Sequence, residues 1–203
     1  MPEFEWRPFL SRWSREALTA DPTTPAYDRT APAADGWLGA PGATETQLAA
    51  LEARLGAALP PSYRAFLRVS NGWGRTTPFI DHLWSSEEVD WFAVRNQDWV
   101  DAWTGAYSDA GEALPTVPDA TYLQYGEDQD CAELRVEYLQ SALEISDTGD
   151  SAIYLLNPQI VTPAGEWEAW FFANWLPGAR RYRSFWEMMK EEYQGYLRIK
   201  RER

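Results

Sequence analysis

The stretch from Thr44 to Gly74, TETQLAALEARLGAALPPSYRAFLRVSNGWG, specifies its own local structure more fully than any other part of the chain. Thr44 followed by Gln47 is a capping-box pattern, in which the hydroxyl accepts an early amide and the Gln side chain reaches back. Leu48, Leu51, Leu55 and Leu59 recur at three and four, the period of a helix with one buried stripe. Gly56 suits a left-handed C-terminal residue, Pro60 forbids continuation, and Pro61 fits the first turn of a second helix. In that helix Tyr63, Phe66 and Leu67 share a face, and Asn71-Gly72 stops it with a turn tolerant of positive φ. The spacing predicts a helix, a corner and a helix over about 44–56 and 61–70. This is a folding signature without reactive chemistry, and it tilts the chain away from an enzyme.

Upstream, Phe4, Trp6, Phe9, Leu10 and Trp13 make a short amphipathic start, followed by a Pro/Ala/Thr/Gly-rich run to Gly42. Residues 1–43 therefore read as an N-terminal extension packing on, or leading into, a domain over 44–203. Downstream, Ser85 and Glu88 offer another capping box, opening a helix across Val89, Trp91 and Phe92. A further helical stretch is expected over 96–110. Tyr122, Leu123 and Tyr125 suggest a strand, and Cys131 to Leu139 a weak helix. Leu143–Ser146 and Ala152–Leu156 read as strands joined by Asp147-Thr148-Gly149-Asp150, a hairpin signal, with Asn157-Pro158 ending the second. From Trp167 to Phe172 the run is apolar on both faces, as in a central strand. Ser184 with Glu187 begins a last helix whose Phe185, Met188 and Met189 face the sheet. Helices first, then a meander of strands, then a closing helix argue α+β: a mostly antiparallel multi-stranded sheet packed with an N-terminal helix pair and a C-terminal helix.

Charge is distributed unevenly over the 203 residues. Residues 81–150 hold 17 Asp and Glu against Arg95 and Arg135, whereas residues 179–203 hold eight Arg and Lys against four Glu. The acidic middle repels nucleic acid and attracts basic proteins, unless it is simply a solvated surface. A single cysteine, Cys131, fits a reducing compartment. The start MPEFEWRPFL has no apolar signal region, and no apolar run approaches a membrane span. The expectation is a cytoplasmic protein without membrane contact.

The helix pair LEARLGAALPPSYRAFLRVSNG (51–72), the strand-end motif IYLLNP (153–158) and GEWEAWFFANW (165–175) together resemble the SUKH superfamily, named partly for the fungal Smi/Knr regulators of cell-wall assembly. The resemblance covers about residues 44–196. It implies a helix-decorated, mostly antiparallel sheet without a family active site. Many bacterial members look like immunity proteins that bind and neutralise a cognate polymorphic toxin, often a nuclease, and fungal members are regulatory interaction proteins. The Ala-, Arg- and Trp-rich composition looks bacterial, which favours the immunity branch. A regulatory or scaffold module without a toxin partner is the alternative.

Catalytic chemistry finds little support. His82, beside Asp81, is the only histidine, and no nucleophile-elbow or family cysteine signature accompanies it. One Cys and one His do not make the common zinc sites. Glu127-Asp128-Gln129-Asp130 and Asp147–Asp150 lack the EF-hand spacing, and no phosphate-binding loop is present. Neither a catalytic residue nor a cofactor or metal is expected. The remaining feature is the acidic, Trp-rich middle, where Trp84, Trp91, Trp99 and Trp103 interleave with carboxylates. Aromatic anchors rimmed by charge suit a fast, tight protein inhibitor, although each tryptophan also fits a core position beneath a polar helix face. The candidate partner-binding residues are Glu87, Asp90, Trp91, Asp98, Asp101, Trp103, Glu127, Asp128 and Asp130, meeting a cognate protein toxin with a basic surface.

Overall fold

The computed structural model describes residues 4–27, 36–109, 114 and 116–202. Helices α1 (Trp6–Ala20), α2 (Glu45–Leu55) and α3 (Pro61–Val69) precede a five-stranded antiparallel sheet. Its strands β1 (Asp90–Trp91), β2 (Leu143–Glu144), β3 (Ala152–Val161), β4 (Trp167–Ala173) and β5 (Ala179–Tyr182) lie in sequence order. Helices α4 (Phe92–Asp109) and α5 (Asp119–Tyr122) fall between β1 and β2, and α6 (Phe185–Glu202) closes the fold. The protein is α+β.

The helix pair forms as its sequence dictates. Thr44 and Gln47 close the capping box, and Gly56 ends α2 in the left-handed region at φ 67°. Pro61 opens α3. Leu48, Leu51, Leu55, Leu59, Tyr63, Phe66 and Leu67 are all buried in one cluster. The amphipathic start is a full 15-residue helix, and its Trp6, Leu10, Trp13 and Ala17 enter that same cluster.

The sheet separates two apolar layers, because alternate residues of a strand point to opposite faces. Tyr154, Leu156, Ala169 and Phe171 pack with α1, α2, α3 and Phe185, Met188 and Met189 of α6. Ile153, Leu155, Trp170 and Phe172 face the other way, against Phe92 and Val100 of α4 and Leu134, Val136 and Leu139. Strand β4, buried along its whole length between β3 and β5, is the central strand anticipated from its two-sided apolar pattern.

Three local expectations are corrected. Ser85 and Glu88 form only half of the capping box, with the Ser85 amide and hydroxyl both donating to the Glu88 carboxylate, and they close a turn rather than a helix. The chain then pairs as β1 with β2, and α4 begins at Phe92. Tyr122 lies in the short helix α5, started by Pro118, and not in a strand. Strand β3 does not stop at Asn157-Pro158; it passes through an irregularity in its pairing with β4 and continues to Val161. A proline is tolerated there because a bulge requires no ladder donor.

Candidate partner-binding surface

The nine predicted residues divide into separate groups. Glu87, Asp90 and Trp91 sit at the β1 edge, and all three are engaged within the protein. The Glu87 carboxylate accepts from Gln47 Nε2 at 2.6 Å, Asn71 Nδ2 at 3.0 Å and Ser86 Oγ at 3.0 Å. Burial works against its charge, but these donors prevail and hold the carboxyl below its ordinary range. Asn71, identified from sequence as a turn residue, thus also fastens the 85–88 turn, and its Oδ1 accepts from the Ser86 amide at 2.7 Å. Asp90 lies 3.8 Å from Arg54. Trp91 packs, half-buried, against the larger core cluster.

Asp98 and Asp101 are exposed on α4, where Asp101 accepts from Gln97 at 2.7 Å. Trp103 and Trp99 instead turn inward. Each places its ring centroid 5.3 Å from Phe172 of β4, so the helix is anchored to the sheet through its tryptophans. Glu127, Asp128 and Asp130 are exposed around a 3-10 turn at Gly126–Asp128, and Asp130 accepts from the Ala132 amide. This turn and α4 cover the same face of the sheet, one over each end of β4. The structure therefore brings together on one layer the carboxylates of α4 and of the 127–130 turn, and leaves Glu87, Asp90 and Trp91 apart.

The segment that covers this face is strongly acidic. Residues 92–141 contain ten Asp and Glu and two basic residues, Arg95 and Arg135, a net of −8. Both arginines are committed. Arg95 stacks 4.0 Å above the Trp84 ring and donates to the Glu88 carbonyl. Arg135 donates to the Val117 carbonyl, the Tyr138 hydroxyl and Asp119. Neither forms a salt bridge with Asp98, Asp101, Glu127, Asp128 or Asp130.

Beneath the 127–130 turn lies a polar centre that sequence reasoning missed. Glu168 of β4, 1% exposed, accepts from Tyr122 Oη at 2.8 Å, Tyr125 Oη at 2.9 Å, Asn157 Nδ2 at 2.9 Å and Trp170 Nε1 at 2.7 Å. Fully buried Arg181 of β5 lies 3.7 Å from the same carboxylate, donates to the Tyr122 carbonyl and stacks 4.2 Å from the Tyr122 ring. Burial and the neighbouring carboxylate raise the Tyr122 and Tyr125 phenols well above their ordinary value, so both remain donors. Gln129 adds two backbone bonds to Arg181. The chemistry is positional: an inward carboxylate holds the segment that carries the exposed acids. Its available signal was Glu168 itself, a charged residue at an inward position of an otherwise apolar strand.

His82 is engaged by a carboxylate and an aromatic ring, Asp147 and Tyr27. Its Nδ1 lies 3.0 Å from Asp147, whose carboxylate also accepts the Asp81 and His82 amides at 3.1 Å. The hairpin carboxylate is thus used to fix the 81–82 backbone. Among the described residues, no group of three or more His, Cys, Asp and Glu side chains is arranged to hold a metal ion. No helix among them is long and apolar enough to cross a membrane.

A buried carboxylate joins two of the recognised motifs directly. Glu166, in the turn before β4, accepts from the Ser62 amide at 2.9 Å and the Ser62 hydroxyl at 2.5 Å. It caps α3, whose own N-cap, Pro60, offers no side-chain acceptor. No curated protein matches the chain. The family model for the SMI1/KNR4 family (SUKH-1) matches residues 42–191, 150 of the 203. With the helix pair and the GEWEAW strand joined in this way, the chain belongs to the SMI1/KNR4 family (SUKH-1).

Proposed function

We propose that the protein is a non-enzymatic binding module of the immunity type, which neutralises a cognate toxin by presenting its acidic layer to a basic surface. Family membership supports an interaction module. The observation that carries the choice of surface is the exposed carboxylate set Asp98, Asp101, Glu127, Asp128 and Asp130, in a segment, 92–141, whose two arginines are both engaged internally. Uncompensated carboxylates of this kind accelerate encounter with a cationic partner and occupy a cleft built for phosphate-bearing substrates, as in a nuclease. The half-buried tryptophans hold α4 rigid on the sheet, so the charges arrive preorganised.

The test is direct mixing with the toxin encoded beside this gene. A stable stoichiometric complex and loss of toxicity are expected. A complex with an endogenous regulatory protein, with no protection against any neighbouring toxin, favours the regulatory alternative instead.

A further inference from the structure

On the opposite face of the sheet from the acidic layer, a groove of about 350 Å³ runs between α6, the end of β5 and the loops at 77–79 and 175–176. One wall is aromatic. Phe79, Phe171 and Trp175 form a contiguous set, with centroids 5.0 Å apart for Phe79–Trp175 and 6.4 Å for each of the other pairs. Trp175 is 46% exposed and Ile199 38%, two of only five large apolar side chains so open among the described residues. The groove is therefore an accessible apolar surface rather than an extension of the core. Its volume sits at the small end of the range of about 300–1,000 Å³ for ligand sites, the scale of a short peptide segment.

The rim carries two arginines that no salt bridge among the described residues occupies. Arg180 and Arg198 are exposed and line the groove, and their guanidinium groups make no hydrogen bond or ion pair with any described residue. Two carboxylates also line it. Glu192 is nearly buried at the base, where it accepts from Tyr154 Oη at 2.9 Å and is approached by Tyr182 Oη at 3.5 Å. Burial pushes its carboxyl up to about 7, against those hydroxyls and Arg180, so it offers a reduced negative charge. Glu191 is the one exposed carboxylate of the lining, against two exposed arginines.

We infer that this groove docks an acidic peptide segment, inserting an apolar side chain against Trp175 and Phe79 and setting flanking carboxylates against Arg180 and Arg198. Charge complementarity selects this occupant. A basic segment would leave both arginines opposed by like charge, and a purely apolar one would leave them without a partner. The protein then has two docking faces of opposite preference, separated by its sheet, and can hold a basic partner and an acidic segment at once.

The probe is a fluorescein-labelled peptide in which one Phe is flanked on both sides by Asp, compared with the same peptide flanked by Lys. Saturable binding of the Asp peptide, weakened about tenfold by Trp175→Ala and by Arg180→Glu with Arg198→Glu, is expected. The Lys peptide should bind about tenfold more weakly than the Asp peptide. Both arginines are exposed, and Arg180→Gln with Arg198→Gln serves if the reversal perturbs folding. Equal binding of both peptides, no saturable binding of the Asp peptide, or affinity unchanged in the variants each overturns the inference. Self-association of the protein that the arginine variants abolish also overturns it, since a second copy is then the occupant. These substitutions leave the acidic layer intact, so the outcome is separable from toxin binding.

Discussion

Asn157 and Glu168 stand opposite one another on β3 and β4, and Asn157 Nδ2 donates to Glu168 Oε2 at 2.9 Å inside the sheet's buried face. Two sequence motifs on neighbouring strands thus meet at one carboxylate, which also gathers Tyr122, Tyr125, Trp170 and Arg181. A charged group survives burial only when paired and hydrogen-bonded, and Glu168 has both kinds of partner. Its role is to join β4 and β5 to the segment 122–129 that bears the exposed acids.

Glu168→Ala leaves Arg181 as an uncompensated buried cation and orphans two phenols. A loss of about 3–5 kcal/mol is expected, measured by urea denaturation with a two-state fit. Increased protease sensitivity near residues 122–130 should accompany it, because that segment loses its attachment. A loss below about 0.5 kcal/mol, as for an ordinary surface substitution, contradicts this account.

Glu166→Ala removes the acceptor for both the amide and the hydroxyl of Ser62. The expected cost is about 1–3 kcal/mol, since buried donors are left unsatisfied. Thr44→Ala, which removes the exposed cap of α2, is the comparison at about 1 kcal/mol. Denaturation midpoints of the two variants should rank Glu166→Ala as the more destabilised. Equal midpoints would mean that solvent caps α3 adequately.

How much of this was legible in sequence depends on the range of the interaction. The capping box at Thr44, the left-handed Gly56 and the N1 proline at Pro61 act within a few residues, and α2 and α3 follow directly. Ser85 and Glu88 show the limit of local chemistry, because the same pattern gives a turn with the hydroxyl donating to the carboxylate when Asp90 and Trp91 are taken up by β2. Tyr122, Leu123 and Tyr125 suggest a strand, yet both phenols are directed at Glu168, more than forty residues away. Arg181 likewise belongs to a basic stretch by composition and to a buried pair by register. The exposed acids of 98–130 were legible as charge, whereas their gathering on one layer required the fold.

Stability should fall between about pH 4.5 and 7 through Glu192. Its carboxyl rises from 4.5 to about 7 in the native protein, first because of burial, against the hydroxyl of Tyr154, the charge of Arg180 and the hydroxyl of Tyr182. Over this window the unfolded chain has released the proton while the native state retains it, so unfolding gains with rising pH. Above pH 7 both states are ionised and the effect is constant. The shift corresponds to a loss on the order of 3 kcal/mol. Glu144, raised to about 7 by burial against Arg95, acts with the same sign. Glu192→Gln should flatten the fall in denaturation free energy across this window; an unchanged slope assigns the effect elsewhere.

Charge reversal separates the two groups of carboxylates. Asp128→Lys with Asp130→Lys, or Asp98→Lys with Asp101→Lys, alters exposed side chains on the acidic layer. Either pair should lower the association rate with a basic toxin by about tenfold and make its salt dependence shallower, with little change in dissociation. Glu87→Lys acts differently, because Glu87 is bonded to Gln47, Asn71 and Ser86. It should reduce stability by about 1–3 kcal/mol and leave the association rate nearly unchanged. Stopped-flow association over a salt series, together with thermal melts of the same variants, distinguishes these patterns. If Glu87→Lys slows association as strongly as the α4 and 128–130 reversals, the partner meets the β1 edge and not the layer over the sheet.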